Sequence, residues 1–365
     1  MSLRKIGVEE VLADLARFHT VIDARSPSEF AEDGLPGAIN LPVLDDDERR
    51  IVGTLYKQHS ALEARKVGAA MAGRRIAAHL ETTLRDKPRE WMPLVYCWRG
   101  GQRSGSLAWF LSEIGFRTAQ LDGGYKAFRH AVVAQLETLP QHYRYVVLAG
   151  RTGSGKTRLL HHLAAAGEQV LDLEALACHR GSILGALPGQ PQPSQKHFDT
   201  LVWQALQRFE PGSTVYVESE SARIGRLRVP PSLLVQMREQ GRVVQVQMPD
   251  AGRVGLLLQD YAFFADDAEA FCQLLRGLVE LRGRERVASW QELARQGLWA
   301  ELFGRLMAEH YDPLYDRSMR RHFSALADAP VVVLADGGTA ALDDAVVALR
   351  HLVQTTTPAT PTPPN

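Results

Sequence analysis

The chain has 365 residues, with 42 Lys plus Arg set against 42 Asp plus Glu, so its formal net charge is zero. At roughly 100–200 residues per domain, that length predicts two or three domains. A globally basic nucleic-acid binder is excluded, whereas a locally basic face is not. The three cysteines, Cys97, Cys178 and Cys272, are too few and too scattered for a disulfide framework or a Cys-rich zinc site, and they fit a reducing cytoplasm. No stretch approaches the roughly 18 consecutive apolar residues of a membrane span, and the first residues lack the apolar core of a signal peptide.

The N-terminus leads directly into a mixed helical pattern carrying Glu9, Glu10 and Asp14. Residues 20–24 are a short apolar run that predicts a buried strand, followed by Ser26-Pro27 at a helix start. Residues 35–42 read as a turn into a second short strand, and about 60–86 as helix. The run Leu94-Val95-Tyr96-Cys97 predicts a strand that ends at Arg99-Gly100-Gly101-Gln102-Arg103. A helix follows from Ser104 to Ile114, with Leu107, Phe110, Leu111 and Ile114 on one face. Residues 118–122 and a Gly123-Gly124 turn complete a parallel α/β domain over residues 8–138. The linker lies near Leu139-Pro140-Gln141.

A second α/β unit, 143–350, opens with the strand 143–149. Further strands are expected at 169–173, 214–218, 243–248 and 331–334, with an Arg-rich helical insertion over about 252–325. Residues 354–365 are nearly all Thr and Pro and predict a disordered tail. The expected fold class is therefore α/β: two parallel-sheet domains and a helical C-terminal region.

Cys97 and Arg103 form a Cys-x5-Arg pattern at the end of a predicted parallel strand. Loop amides would curl around the sulfur and a helix would point its positive end at it, with Arg99 and Arg103 as cationic neighbours. That combination predicts a reactive thiolate. Cys178 and Cys272 lack a cationic Gly loop and are expected to be structural. The same Cys-x5-Arg pattern describes tyrosine phosphatases. However, Asp23-Ala24-Arg25, Phe30, residues 35–42 and Asp122-Gly123-Gly124-Tyr125 resemble the rhodanese domain, whose cysteine carries a persulfide.

Residues Gly150, Gly153, Ser154, Gly155, Lys156 and Thr157 sit in a full G-x-x-x-x-G-K-[ST] pattern between a predicted strand and helix. Such a loop cradles phosphate oxygens, with Lys156 as point charge and the Thr157 hydroxyl as candidate magnesium ligand. Glu218 and Glu220 end a strand in the place of a Walker B segment. They read as water-mediated magnesium ligands or as solvated acids at a strand end. Arg223, Arg226 and Arg228 read as diphosphate or RNA-backbone contacts, or as a solvated loop. His179 and Arg180 read as phosphate contacts or as turn residues.

Taken together, residues 46–49, 52–57, 172–174, 179–182, 192–198, 218–225 and 311–315 resemble, in their order, the bacterial tRNA 2-selenouridine synthase family. The resemblance spans about residues 8–350. It implies a transferase that converts wobble 2-thiouridine in tRNAs for Lys, Glu and Gln by S-geranylation with geranyl diphosphate and then selenium exchange with selenophosphate. It implies that Cys97 carries selenium, that Arg99 and Arg103 hold selenophosphate, and that the P-loop with Glu218, Glu220 and Arg223 holds the diphosphate, with magnesium. Tyr261, Phe263, Phe264 and Trp290 are candidates for an apolar geranyl pocket, or plain core. The expected partners are the anticodon stem-loops of those tRNAs and a selenophosphate-supplying enzyme. The protein is expected to be a cytoplasmic monomer with no membrane association. The alternative from the residues alone is an ATP-dependent rhodanese-type sulfurtransferase acting on RNA or a small acceptor.

Overall fold

Short β-branched runs flanked by glycine turns build two separate parallel sheets, the arrangement expected when strands alternate with helices. The computed structural model describes residues 3–182, 184–187, 189–323 and 326–354. The chain divides into two compact units, one of residues 1–137 with 193–204, the other of 138–192 with 205–365. The predicted Thr/Pro tail falls on residues 355–365, outside the described residues.

The first unit holds β1 (Arg4–Ile6), β2 (Thr20–Asp23), β3 (Ile39–Asn40), β4 (Pro93–Tyr96) and β5 (Ala119–Leu121), in the order β1-β5-β4-β2-β3. All its pairings are parallel. β4 is central and buried along its length, and its proline sits at the first position, where a missing N–H is tolerated. The packed core includes Ile22, Val95, Leu107 and Leu111. β1 is a strand the sequence reading did not name, while the helical pattern expected around Glu9 and Glu10 is present as the helix Val8–Ala13. Three residues are too few to show a period, and pairing with β5 determines their conformation.

Residues 193–204 depart from the two-domain division of the sequence, because they belong to the first unit. They begin the helix Gln195–Gln207. Phe198 and Val202 are fully buried, and Trp203 meets Phe128 edge-on at 5.8 Å while its indole N–H donates to Gln135 at 2.7 Å. Thr200 donates to the buried Asp33 carboxylate at 3.1 Å. A contiguous sequence gives no signal that a segment packs back on an earlier unit.

The second unit holds β6 (Arg144–Ala149), β7 (Gln169–Leu171), β8 (Thr214–Glu218), a two-strand antiparallel hairpin of β9 (Arg223–Ile224) and β10 (Leu227–Arg228), β11 (Arg242–Gln247) and β12 (Val331–Val333). Its sheet runs β12-β11-β6-β8-β7, all parallel. The chain leaves β6 toward β8 and β7 on one side and later returns to β11 on the other. Ligands bind at such a switch point, at the carboxyl ends of the strands. Residues 250–322 are helical apart from short turns and form their own apolar core around Phe271, Cys272, Trp290 and Phe303. No helix among the described residues is long and apolar enough to cross a membrane.

Candidate active sites: a cysteine loop and a phosphate loop

Cys97 follows β4 directly, and the helix Gln102–Ile114 starts five residues later, so the positive end of that helix lies beside the cysteine loop. The cysteine is buried. The Ser104 hydroxyl lies 3.1 Å from its sulfur. Gln120, buried on β5, donates its side-chain amide to Ser104 Oγ at 2.9 Å and to the Gly100 carbonyl at 2.8 Å. Because Oγ accepts from Gln120, its single proton is left for the sulfur or for the Gly101 carbonyl at 3.3 Å. The loop closes against the next turn through Tyr125 N–H donating to the Cys97 carbonyl at 2.8 Å. Gly124 permits this approach: at its φ of +56°, a Cβ would stand 2.2 Å from that carbonyl oxygen.

The two loop arginines differ. Arg99 is exposed and makes no ion pair among the described residues. Arg103 is held by Glu29, with N–O distances of 2.5 and 3.3 Å, and Arg49 reaches the same carboxylate at 2.9 Å. Burial works to raise the Glu29 pKa, but the hydrogen bond and charge of Arg103, then the charge of Arg49, hold it below the usual carboxylate value. Arg103 is therefore paired with Glu29, a partner the sequence reading did not include. Sequence spacing could not show this, since Glu29 is 74 residues away.

The phosphate loop follows β6. Gly150, Gly153, Ser154 and Gly155 lead into the helix Lys156–Ala165, so Lys156 and Thr157 begin that helix. Lys156 donates to the Gly150 carbonyl at 2.7 Å and lies 6.0 Å from the centre of the Tyr315 ring. The Gly150 amide donates to the Tyr315 hydroxyl at 2.5 Å. Ser154 Oγ is buried without a hydrogen-bond partner. The buried Arg253 donates to the Thr152 carbonyl at 2.9 Å and to both Asp312 oxygens at 2.9 and 2.6 Å. Arg151 pairs with Asp316 at 2.7 Å. The segment 311–315, quoted above only for its resemblance, thus braces the loop through Asp312 and Tyr315, with Asp316 beside it.

Glu218 ends β8 beneath the loop, with Thr157 hydrogen-bonded to its carboxylate. One of its oxygens is buried without a partner, so the solvated-acid reading does not hold for it. Glu220 lies beside it, and Glu174, to which no chemistry was assigned from sequence, completes a group of three carboxylates. Arg223 is exposed on the short hairpin, and the hydrogen bonds recorded there join its backbone to the Ser221 hydroxyl. Arg180 is held by the Asp260 carbonyl and lies 4.9 Å from the centre of the Tyr261 ring, which favours the turn reading. Of the geranyl-pocket candidates, Phe264 and Trp290 belong to the helical core and Phe263 packs on it. Tyr261 alone of the four also lines a narrow cleft, with Thr152, Leu257, Phe303, Leu306 and Tyr311.

These two sites define a rhodanese-type cysteine unit and a P-loop unit in one chain. Residues 8–131 match the rhodanese-like domain and residues 143–289 match the tRNA 2-selenouridine synthase AAA domain. The chain is 36% identical over 260 residues to the tRNA 2-selenouridine synthase of Nitrosomonas europaea, covering 70% of this chain and 67% of that protein. It is 33% identical over 334 residues to that of Hydrogenovibrio crunogenus, covering 82% and 89%. With Alcanivorax borkumensis the identity is 33% over 332 residues, covering 82% and 90%. The chain belongs to the tRNA 2-selenouridine synthase family.

Proposed function

We propose that the protein makes 2-selenouridine in tRNA in two steps, S-geranylation followed by selenium exchange. The substrates assigned are the wobble 2-thiouridine of tRNAs for Lys, Glu and Gln, with geranyl diphosphate and selenophosphate as donors. The single observation that supports the reading most is the Cys97 loop, built around a hydroxyl-contacted sulfur in a chain that also carries a complete phosphate loop.

In the first step the thiocarbonyl sulfur attacks C1 of the geranyl group. The C1–O bond breaks, diphosphate leaves with the electron pair, and the base loses its N3 proton. An allylic diphosphate ionises readily once its leaving group is neutralised. Lys156 and the loop amides hold the diphosphate. Thr157 and the partnerless oxygen of Glu218 suit magnesium, which when bound adds positive charge against the leaving group.

In the second step selenium attacks C2 and the C2–S bond breaks. Geranylthiol leaves with a proton. Cys97 is the selenium carrier, and exposed Arg99 with the loop amides captures the incoming phosphate group. For loading, a small disulfide first converts Cys97 to a mixed disulfide. The selenium of selenophosphate attacks the Cys97 sulfur and expels the small thiol, and water takes the phosphoryl group as the P–Se bond breaks. After the exchange at C2, a thiol cleaves the S–Se bond, freeing selenouridine and returning Cys97 as the mixed disulfide.

Mass spectrometry of tRNA nucleosides after incubation with geranyl diphosphate, then selenophosphate, tests the reading. The expected products are geranylated thiouridine, then selenouridine, and Cys97→Ala stops the reaction at the first product. Turnover of ATP stimulated by a sulfur acceptor, with no prenyl transfer, would favour the sulfurtransferase instead.

A further inference from the structure

Among the described residues, one group of three acidic side chains is arranged as cation ligands. Oxygens of Glu174, Glu218 and Glu220 lie within 4.8 Å of one another, a spread that a single ion about 2.0–2.6 Å from each would span. Glu174 comes from the short helix after β7, Glu218 from the end of β8, and Glu220 from the residues just beyond.

Three features separate this group from an ordinary acidic surface. Glu218 is only 4% exposed, and one of its carboxylate oxygens is buried without any hydrogen-bond partner. A buried polar atom left this way carries a desolvation cost that a bound ligand removes. The backbone also makes room for the carboxylates. Gly181 has φ +66°, and a Cβ there would stand 2.4 Å from a Glu174 oxygen and 3.4 Å from both Glu220 oxygens. Finally, the charges do not balance. Asp172 adds a fourth acid, and the cation acting on all three glutamates is Lys156, whose ammonium is also engaged by the Gly150 carbonyl.

We propose that Glu174, Glu218 and Glu220 form a protein-held site for a hard divalent cation of the magnesium or manganese class, filled before any diphosphate reaches the loop. An all-oxygen, carboxylate-rich set selects such ions over softer ones. This differs from a cation carried in on a phosphate and met only by the loop threonine. It stands on the carboxylate geometry and does not depend on the prenyl or selenium steps.

The test is a titration of the full-length chain with Mn²⁺, free of phosphate and diphosphate and followed by electron paramagnetic resonance. Binding of about one Mn²⁺ per chain is expected, with a rise in melting temperature. Glu174→Gln should weaken binding at least about tenfold and abolish the Mn²⁺-dependent rise, while Thr157→Ala has a smaller effect. Should Glu174→Gln fail to fold, Glu220→Gln carries the same expectation. Absence of Mn²⁺ binding without a phosphate ligand overturns the proposal, as does wild-type affinity in both glutamine variants. Loss of binding in Thr157→Ala alone also overturns it, by assigning the ion to the loop.

Discussion

The Ser104 hydroxyl stands 3.1 Å from the Cys97 sulfur, and Gln120 occupies an acceptor site on the same hydroxyl oxygen. The serine proton is thereby left for the Cys97 sulfur or the Gly101 carbonyl, 3.1 and 3.3 Å away. A hydrogen bond to a charged group contributes about 1.5–3 kcal/mol. Ser104→Ala should therefore slow alkylation of Cys97 by iodoacetamide at neutral pH by about tenfold, since 1.4 kcal/mol is a factor of ten. Ser104→Thr should restore most of the rate. An unchanged rate in the alanine variant would remove the serine from the chemistry.

Arg99 and Arg103 should separate experimentally. Arg99→Ala should weaken protection of Cys97 by inorganic phosphate while leaving the melting temperature within about 1 °C, because an exposed side chain contributes little to stability. Arg103→Ala removes a partner from a carboxylate whose side chain is only 12% exposed, and it should lower the melting temperature as well. Equal effects from both variants would argue against the division.

Glu29 makes a pH prediction. Its folded pKa lies below the ordinary value of 4.5, so as pH falls the unfolded chain takes up this proton first. The stability it contributes is full above pH 4.5 and is lost as pH drops through the lower folded value. Urea unfolding between pH 6 and pH 3 should show a shallower acid loss in Glu29→Gln than in wild type. Parallel curves would contradict the pairing with Arg103 and Arg49.

Arg253 and Asp312 form a buried pair at 2.6 Å, with Arg253 side-chain exposure of 3%. Breaking such a pair from one side costs up to about 3–5 kcal/mol, and Asp250, which also reaches Arg253 at 2.9 Å, retains part of that. Asp312→Ala should lower the melting temperature by roughly 10 °C and weaken binding of inorganic diphosphate, because the same guanidinium holds the Thr152 carbonyl. Calorimetry of both properties checks it.

Much of this was legible in the sequence. Runs such as 144–149 and 214–218 are strands because short, mostly apolar stretches suit a sheet buried on both faces, and Cys97 and Lys156 announce themselves by glycine spacing. What was not legible depends on distance along the chain. Glu29 with Arg103, Gln120 with Ser104, Asp312 with Arg253 and Glu174 with Glu218 lie on different elements. Nothing local to Glu174 marks it as a ligand; the room for its carboxylate comes from Gly181, whose missing Cβ matters only after folding. The aromatic cluster around Phe264 likewise reads the same whether it packs a core or lines a pocket.

The assignment of residues 193–204 to the first unit bears on how this protein can be taken apart. The polypeptide changes unit three times rather than once. No single cut releases either half with all its parts, so a fragment ending at 137 would leave the apolar surface around Phe128 without Phe198, Val202 and Trp203. Exchange of one module for a homologue, in the laboratory or by recombination, must carry two stretches of sequence together.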